Sequence, residues 1–355
     1  MTDWVTETTS LPLPLPFLTG VIAPMYTPFD SKGNIDLPGV KEMVGWLKSR
    51  RVVRSIFVRS GVGQMYTYRL TEAKQVFDAA IEAAGGEIGI LAGCAGEFPE
   101  VIESKGEYLS QKSRPADRSP RLDREKYTAQ SIELAQYAKE RGANAAVLVL
   151  PWALDRKGST VEDVTFEYYR AVNDAVDIPI AIYQAPGIPE EFRLTPQSLR
   201  RLLTLERISG MKVTTTDAAV FAPIAEVVRG TRFALIAGAE HFFLQALQMG
   251  ACGVIGGGCS THPELIYAVQ HHFEAGDTER AEKAAAEVER LIRERPRDIH
   301  VSDKMYILRK GVKIQPYSRP AQPLPDDAAV ERLERFIDEA VGPYREAVQS
   351  GRLLP

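Results

Sequence analysis

Eight short apolar runs recur along this chain, most of them separated by stretches with helical spacing, and this repeat narrows the possible folds more than any other feature. The runs are Val21–Tyr26, Ser55–Arg59, Ile88–Ala92, Ala145–Leu150, Ile178–Tyr183, Ile208–Lys212, Phe233–Ala237 and Cys252–Gly256. They are continuously apolar rather than alternating, as expected of parallel strands covered on both faces. Between them, Ala73, Val76, Phe77, Ala80, Ile81 and Ala84 fall on one helical face after Thr71, a candidate N-cap. Leu199, Leu202 and Leu203 follow Thr195-Pro196, a cap with proline at the first helical position, and Ile132, Leu134, Ala135 and Ala138 form a third stripe. Eight strand–helix units in series predict an α/β protein, a closed (β/α)8 TIM barrel, rather than an open doubly wound sheet. No GxGxxG follows the first run, which also counts against a dinucleotide fold.

Three segments stand outside that rhythm. Residues 1–19 contain Leu11-Pro-Leu-Pro-Leu-Pro16, which favours an extended path and reads as an arm on the barrel or on a neighbouring subunit. Residues 95–123, rich in charged residues, serine and proline, form a long connection after the third strand, on the face where such barrels place their chemistry. Residues 276–355 read as a C-terminal helical extension, with helices over Thr278–Glu294 and Ala328–Ala347 joined through Pro316–Pro325. The barrel itself is expected over residues 20–275.

A formal net charge of −4 over 355 residues gives no global reason to bind nucleic acid or an anionic membrane. No apolar run approaches the roughly 18 residues of a membrane span, and the N-terminus has no basic segment before an apolar one. The three cysteines, Cys94, Cys252 and Cys259, suggest neither a disulfide framework nor a zinc site, so a reducing, cytoplasmic setting is expected. His271-His272 are adjacent on a helix and do not share a face, so no metal is expected there. A small molecule is the expected partner.

Lys212 ends the sixth run and Tyr183 ends the fifth. Neighbouring parallel strands would bring an amine and a phenol together at the barrel's C-terminal mouth. Burial there can lower a lysine pKa enough to free the amine for attack on a carbonyl, and a nearby phenol can move protons.

Four segments carry a resemblance: Thr27-Pro28-Phe29 after the first strand, Ser60-Gly61-Val62-Gly63-Gln64 after the second, Tyr183-Gln184-Ala185-Pro186 after the fifth, and Met211-Lys212-Val213-Thr214 after the sixth. In order and spacing the chain resembles the dihydrodipicolinate synthase/N-acetylneuraminate lyase family of class I aldolases over roughly residues 20–345. The resemblance implies that Lys212 forms an imine with the keto carbon of pyruvate or a pyruvoyl-containing substrate. It implies that Tyr183 shuttles protons, that the Ser60, Gly61 and Val62 turn holds the substrate carboxylate, and that the protein is a homodimer or homotetramer with no cofactor.

The chain also departs from that pattern. Gly61 and Val62 replace two hydroxyl residues, Gln64 replaces the usual glutamate, and Pro151-Trp152 replaces a proline followed by a tyrosine. Ser60 is the candidate to restore the lost relay. Ile188 stands where dihydrodipicolinate synthases carry an arginine for a second carboxylate, which disfavours that substrate. Lys212-Val-Thr-Thr-Thr-Asp217 and Gly238-Ala-Glu-His241 look instead like neuraminate-lyase segments, so Thr214 and Glu240 become candidates for binding a polyhydroxylated tail, although Glu240 and His241 can equally open a helix. Gly256-Gly257-Gly258 can approach a phosphate, or allow close backbone packing at the mouth.

These readings converge on a Schiff-base lyase that cleaves or forms a 2-keto acid from pyruvate and a sugar-derived aldehyde. The alternatives are a dehydratase of deoxy-keto-sugar acids in the same family and a non-catalytic keto-acid-binding relative. A metal-dependent enzyme on the same barrel is weakened by the lack of His and Asp ligands at the strand ends.

Overall fold

Each of the eight apolar runs overlaps a strand. β1 (Gly20–Pro24), β2 (Val53–Val58), β3 (Gly89–Gly93), β4 (Ala145–Val149), β5 (Ile180–Gln184), β6 (Ile208–Val213), β7 (Ala234–Ala237) and β8 (Gly253–Val254) pair in chain order, all parallel, and β8 returns to β1. The computed structural model describes residues 13–103, 122–295 and 299–353. Helices α1 (Leu37–Ser49), α2 (Leu70–Ala84), α3 (Pro99–Glu103), α4 (Arg124–Arg141), α5 (Val161–Ala175), α6 (Pro196–Leu202), α7 (Ala218–Val228), α8 (Phe243–Gln248) and α9 (Pro263–Glu274) lie between and after the strands. α10 (Thr278–Glu294), α11 (Ile299–Arg309) and α12 (Asp327–Gln349) follow. This is the (β/α)8 TIM barrel with C-terminal helices that the periodicity predicts.

Register decides which side chains share the interior. Tyr183 on β5 pairs with Lys212 on β6, and Ala181 pairs with Gly210 one step below. The rings of Phe57 and Tyr183 meet edge-on at 5.9 Å although β2 and β5 are not neighbours, so they touch across the interior. Lower down, Ser55 donates to the carbonyl of Phe17 at 2.9 Å. Leu18, in a turn over Pro16–Leu18, is fully buried, and its Cδ1 would lie 3.3 Å from a Cβ added at Gly210. The end of the N-terminal arm thus plugs the bottom of the barrel, and burying Leu18 contributes about 2 kcal/mol. Residues 1–12 of the expected arm lie outside the described residues, as does 104–121 of the expected 95–123 connection. The described flanks of that connection are ordered: Pro99–Glu103 is helical, and Asp123 caps α4 by accepting from the N–H of Lys126.

Most helix starts follow their capping chemistry. Asp36 accepts from the N–H of Gly39, and Thr195 from that of Ser198 with Pro196 at the first helical position. Thr71 is a correction, because α2 begins at Leu70 after Arg69. Glu72 accepts from the Arg69 N–H at 2.9 Å and also binds Arg319, which anchors the helix two residues earlier than a cap at Thr71 would.

The helix α11 was missed by the sequence reading. Val301, Ser302, Asp303, Lys304, Tyr306 and Ile307 on it are buried, so polar side chains interrupt its apolar ones and no clean apolar stripe marks the helix. It rests on the ends of β1 and β2: Lys304 donates to the carbonyls of Thr27, at 3.0 Å, and Tyr317, and His300 Nδ1 lies 3.0 Å from the carbonyl of Val62.

Candidate active site

Lys212 and Tyr183 stand side by side near the C-terminal ends of their strands, with the lysine Nζ 4.4 Å from the centroid of the tyrosine ring. Only 7% of Lys212 is exposed. Burial pushes its amine down to about 8, with Glu240 and Cys259 acting in the other direction. Burial raises the Tyr183 phenol above its ordinary value and nearby Tyr66 adds to the rise. The Thr214 hydroxyl opposes it from beside the phenol, yet that buried hydroxyl makes no hydrogen bond of good geometry. The pair therefore combines an amine that is partly neutral near pH 8 with a phenol that keeps its proton, which suits attack on a carbonyl and proton delivery to its oxygen.

The turn after β2 explains why glycine stands at 61. A Cβ there would lie 2.7 Å from the Tyr183 hydroxyl, so the tyrosine occupies the room a side chain would need. Ser60 does not supply a free hydroxyl to replace the lost ones: its Oγ donates to the Met25 carbonyl at 3.1 Å and accepts from the Gly63 N–H at 3.0 Å. Among the described residues, the backbone N–H groups of Gly61 and Val62 donate to no protein acceptor. Gln64 also has a structural reason. Its amide donates to the Arg319 carbonyl at 2.6 Å and accepts from the Arg319 N–H at 2.9 Å, a two-way contact that an ionised glutamate could not make.

On the β7–β8 side, Glu240 is buried and accepts from the Gly258 N–H at 2.8 Å. Its other oxygen presses on Gly256, where a Cβ would fall 1.8 Å away. The glycine run thus serves close packing of a carboxylate, and that charge already fills the space a phosphate would need. Next to it the Tyr26 hydroxyl lies close to Gly257 and donates to Asp303, which pairs with Arg295. Tyr26, Arg295 and Asp303 were not found from sequence, and no local spacing could have joined positions 26 and 303.

Thr214 abuts Gly238, where a Cβ would meet its hydroxyl at 2.3 Å. Ile188 is 5% exposed and belongs to the apolar core after β5. His241 is exposed, and His271 and His272 stack edge-to-face at the end of α9. Among the described residues no cluster of His, Cys, Asp and Glu could hold a metal ion, and no helix is long and apolar enough to cross a membrane. The three cysteines are free, and burial raises the thiols of Cys94, Cys252 and Cys259.

Fold and site together define a (β/α)8 barrel with a lysine-centred mouth. The chain matches the Dihydrodipicolinate synthetase family over residues 17–103 and 126–339, and it belongs to that family of lyases. It is 25% identical over 321 residues to a 4-hydroxy-tetrahydrodipicolinate synthase of Methanoculleus marisnigri, covering 90% of this chain and 98% of that protein. An N-acetylneuraminate lyase from Mycoplasma synoviae superposes with a TM-score of 0.72 at 21% identity, over 91% of this chain and 98% of the other. A dihydrodipicolinate synthase from Aquifex aeolicus gives 0.69 at 20% identity, over 90% and 97%. At these identities the structural likeness establishes the fold.

Proposed function

We propose that this protein is a Schiff-base lyase that cleaves a 2-keto acid to pyruvate and an aldehyde, or joins the two. The observation that carries the reading is the partly neutral Lys212 amine beside the protonated Tyr183 phenol. The amine attacks the keto carbon, Tyr183 protonates the departing oxygen, and water leaves an iminium bound to Lys212. In cleavage, the C4 hydroxyl loses its proton to the Tyr183 phenolate, the C3–C4 bond breaks, and its electrons pass into the iminium to give an enamine and free aldehyde. Protonation of the enamine at C3 and addition of water release pyruvate and restore the amine. The unengaged N–H groups of Gly61 and Val62 are suited to hold the substrate carboxylate.

The finer sequence reading, a sugar-derived aldehyde, rested on Thr214 and Glu240. Engagement of one Glu240 oxygen by Gly258 weighs against that group holding a polyhydroxylated tail, whereas the buried Thr214 hydroxyl has no protein partner of good geometry and is left for a ligand. Family membership supports a homo-oligomer, a dimer or a tetramer, and light scattering that reports a monomer would count against it. The chemistry is tested by exchange of the pyruvate methyl protons in deuterated water. Wild type should exchange them through the enamine, Lys212→Ala should not, and Tyr183→Phe should slow exchange by about 10²-fold. Exchange that survives in Lys212→Ala would refute the proposal.

A further inference from the structure

The mouth has two chemically different sides. Over β6, β7, β8 and β1 it carries Lys212, Glu240, Cys259 and the Tyr26–Asp303 pair. Over β2, β3 and β4 stand Val62, Tyr66, Phe98 and Trp152. Phe98 is the buried hub of that second side: its ring meets Tyr66 edge-on at 4.8 Å and 82°, stacks on Trp152 at 6.1 Å and 28°, and is backed by Tyr127 at 5.7 Å. Tyr66 and Trp152 are only partly buried, so the hub holds two rings with surface left to offer. Trp152 follows β4 directly, and β4 lies against β5, where the Leu150 N–H bonds to the Tyr183 carbonyl; Tyr66 is close enough to raise the Tyr183 phenol. The wall therefore adjoins the carbon skeleton of whatever is bound as an imine at Lys212.

We infer that the aldehyde partner of this site is a planar aryl aldehyde, seated against Tyr66 and Trp152. The inference rests on the Schiff-base reading and names its second substrate. Rings fixed by their neighbours lose little freedom on binding and favour stacked or edge contacts with another ring. Among the described residues, Ile188 offers a second carboxylate an apolar surface, and the guanidinium of Arg59, fully buried at the end of β2, turns one nitrogen to the carbonyls of Gly93 and Ala95. In the joining direction the enamine carbon of bound pyruvate attacks the aldehyde carbon, and the aldehyde oxygen takes the Tyr183 proton. Water then hydrolyses the imine to release a 4-aryl-4-hydroxy-2-keto acid and the Lys212 amine.

The test measures condensation of pyruvate with benzaldehyde, glyceraldehyde and aspartate semialdehyde, alongside borohydride trapping with pyruvate alone. Benzaldehyde should be favoured in kcat/KM by about tenfold or more. Trp152→Ala and Trp152→Leu should each raise the benzaldehyde KM by about tenfold while borohydride still traps pyruvate, which shows that the variants are folded and form the imine. Preference for either other aldehyde, turnover of none of the three by a trappable enzyme, or an unaltered benzaldehyde KM in a trappable Trp152 variant overturns the inference. No trapping in the wild type overturns the Schiff-base reading, and the inference falls with it.

Discussion

Burial and a neighbouring carboxylate pull the Lys212 amine in opposite directions, and burial wins, leaving it at about 8. Only the neutral amine attacks, so kcat/KM for pyruvate should rise with pH up to about 8 and level off above it. Glu240 acts to raise that value, so Glu240→Gln should move the rising limb to lower pH while keeping an acceptor for the Gly258 N–H. A limb that stays in place or moves upward would show that the carboxylate does not act on Lys212. Gly61 gives a steric counterpart. Gly61→Thr would put back a hydroxyl, but the Tyr183 hydroxyl occupies the space its Cβ needs, so the variant should lower kcat by about 10²-fold through displacement of the phenol. A gain in kcat for that variant would mean the space is open.

Among the elements, α11 joins the C-terminal helices to the ends of β1 and β2. Asp303 on it is fully buried, accepts from Tyr26 at the end of β1 and pairs with Arg295, whose side chain is 4% exposed. Removing one partner strands the other charge in a low-dielectric interior, so Asp303→Asn should cost about 3–5 kcal/mol of stability. Urea unfolding followed by tryptophan fluorescence measures this, and a loss within error would show that the pair is solvated or replaceable. The same element shows where sequence reading stops. Periodicity finds a helix by its apolar stripe, and α11 interrupts its buried Val301, Tyr306 and Ile307 with a buried serine, aspartate and lysine. Thr71 went wrong for a related reason, since the start of α2 is fixed by Glu72 together with Arg319, a residue far along the chain.

For the whole molecule, the barrel was legible because each strand is covered on both faces and so reads as an unbroken apolar run. Strand ends moved by at most two positions, and β8 is the shortest strand, where Cys252–Gly256 shrank to Gly253–Val254 beside a glycine-rich turn. Lys212 and Tyr183 were legible for the same reason, since each ends a run and parallel register brings the two together. Ser60, Thr214 and Glu240 are named from motif position, but the engagement of Ser60 and Glu240 and the close packing of Thr214 on Gly238 were not legible. Hydroxyls and carboxylates near a mouth can face a substrate or the protein, and the choice depends on residues such as Met25, Gly238 and Gly258 that no local pattern connects to them. The two-sided mouth is likewise a property of the closed barrel, because Tyr66, Phe98 and Trp152 come from three different strand ends.

The central claim is that Lys212 is the nucleophile, and borohydride reduction in the presence of pyruvate, followed by peptide mass mapping, tests it most directly. The account predicts a stable adduct on the peptide containing Lys212, formed faster as the pH rises toward about 8, and no adduct in Lys212→Ala. An adduct on another lysine, or the same labelling in Lys212→Ala, would contradict it.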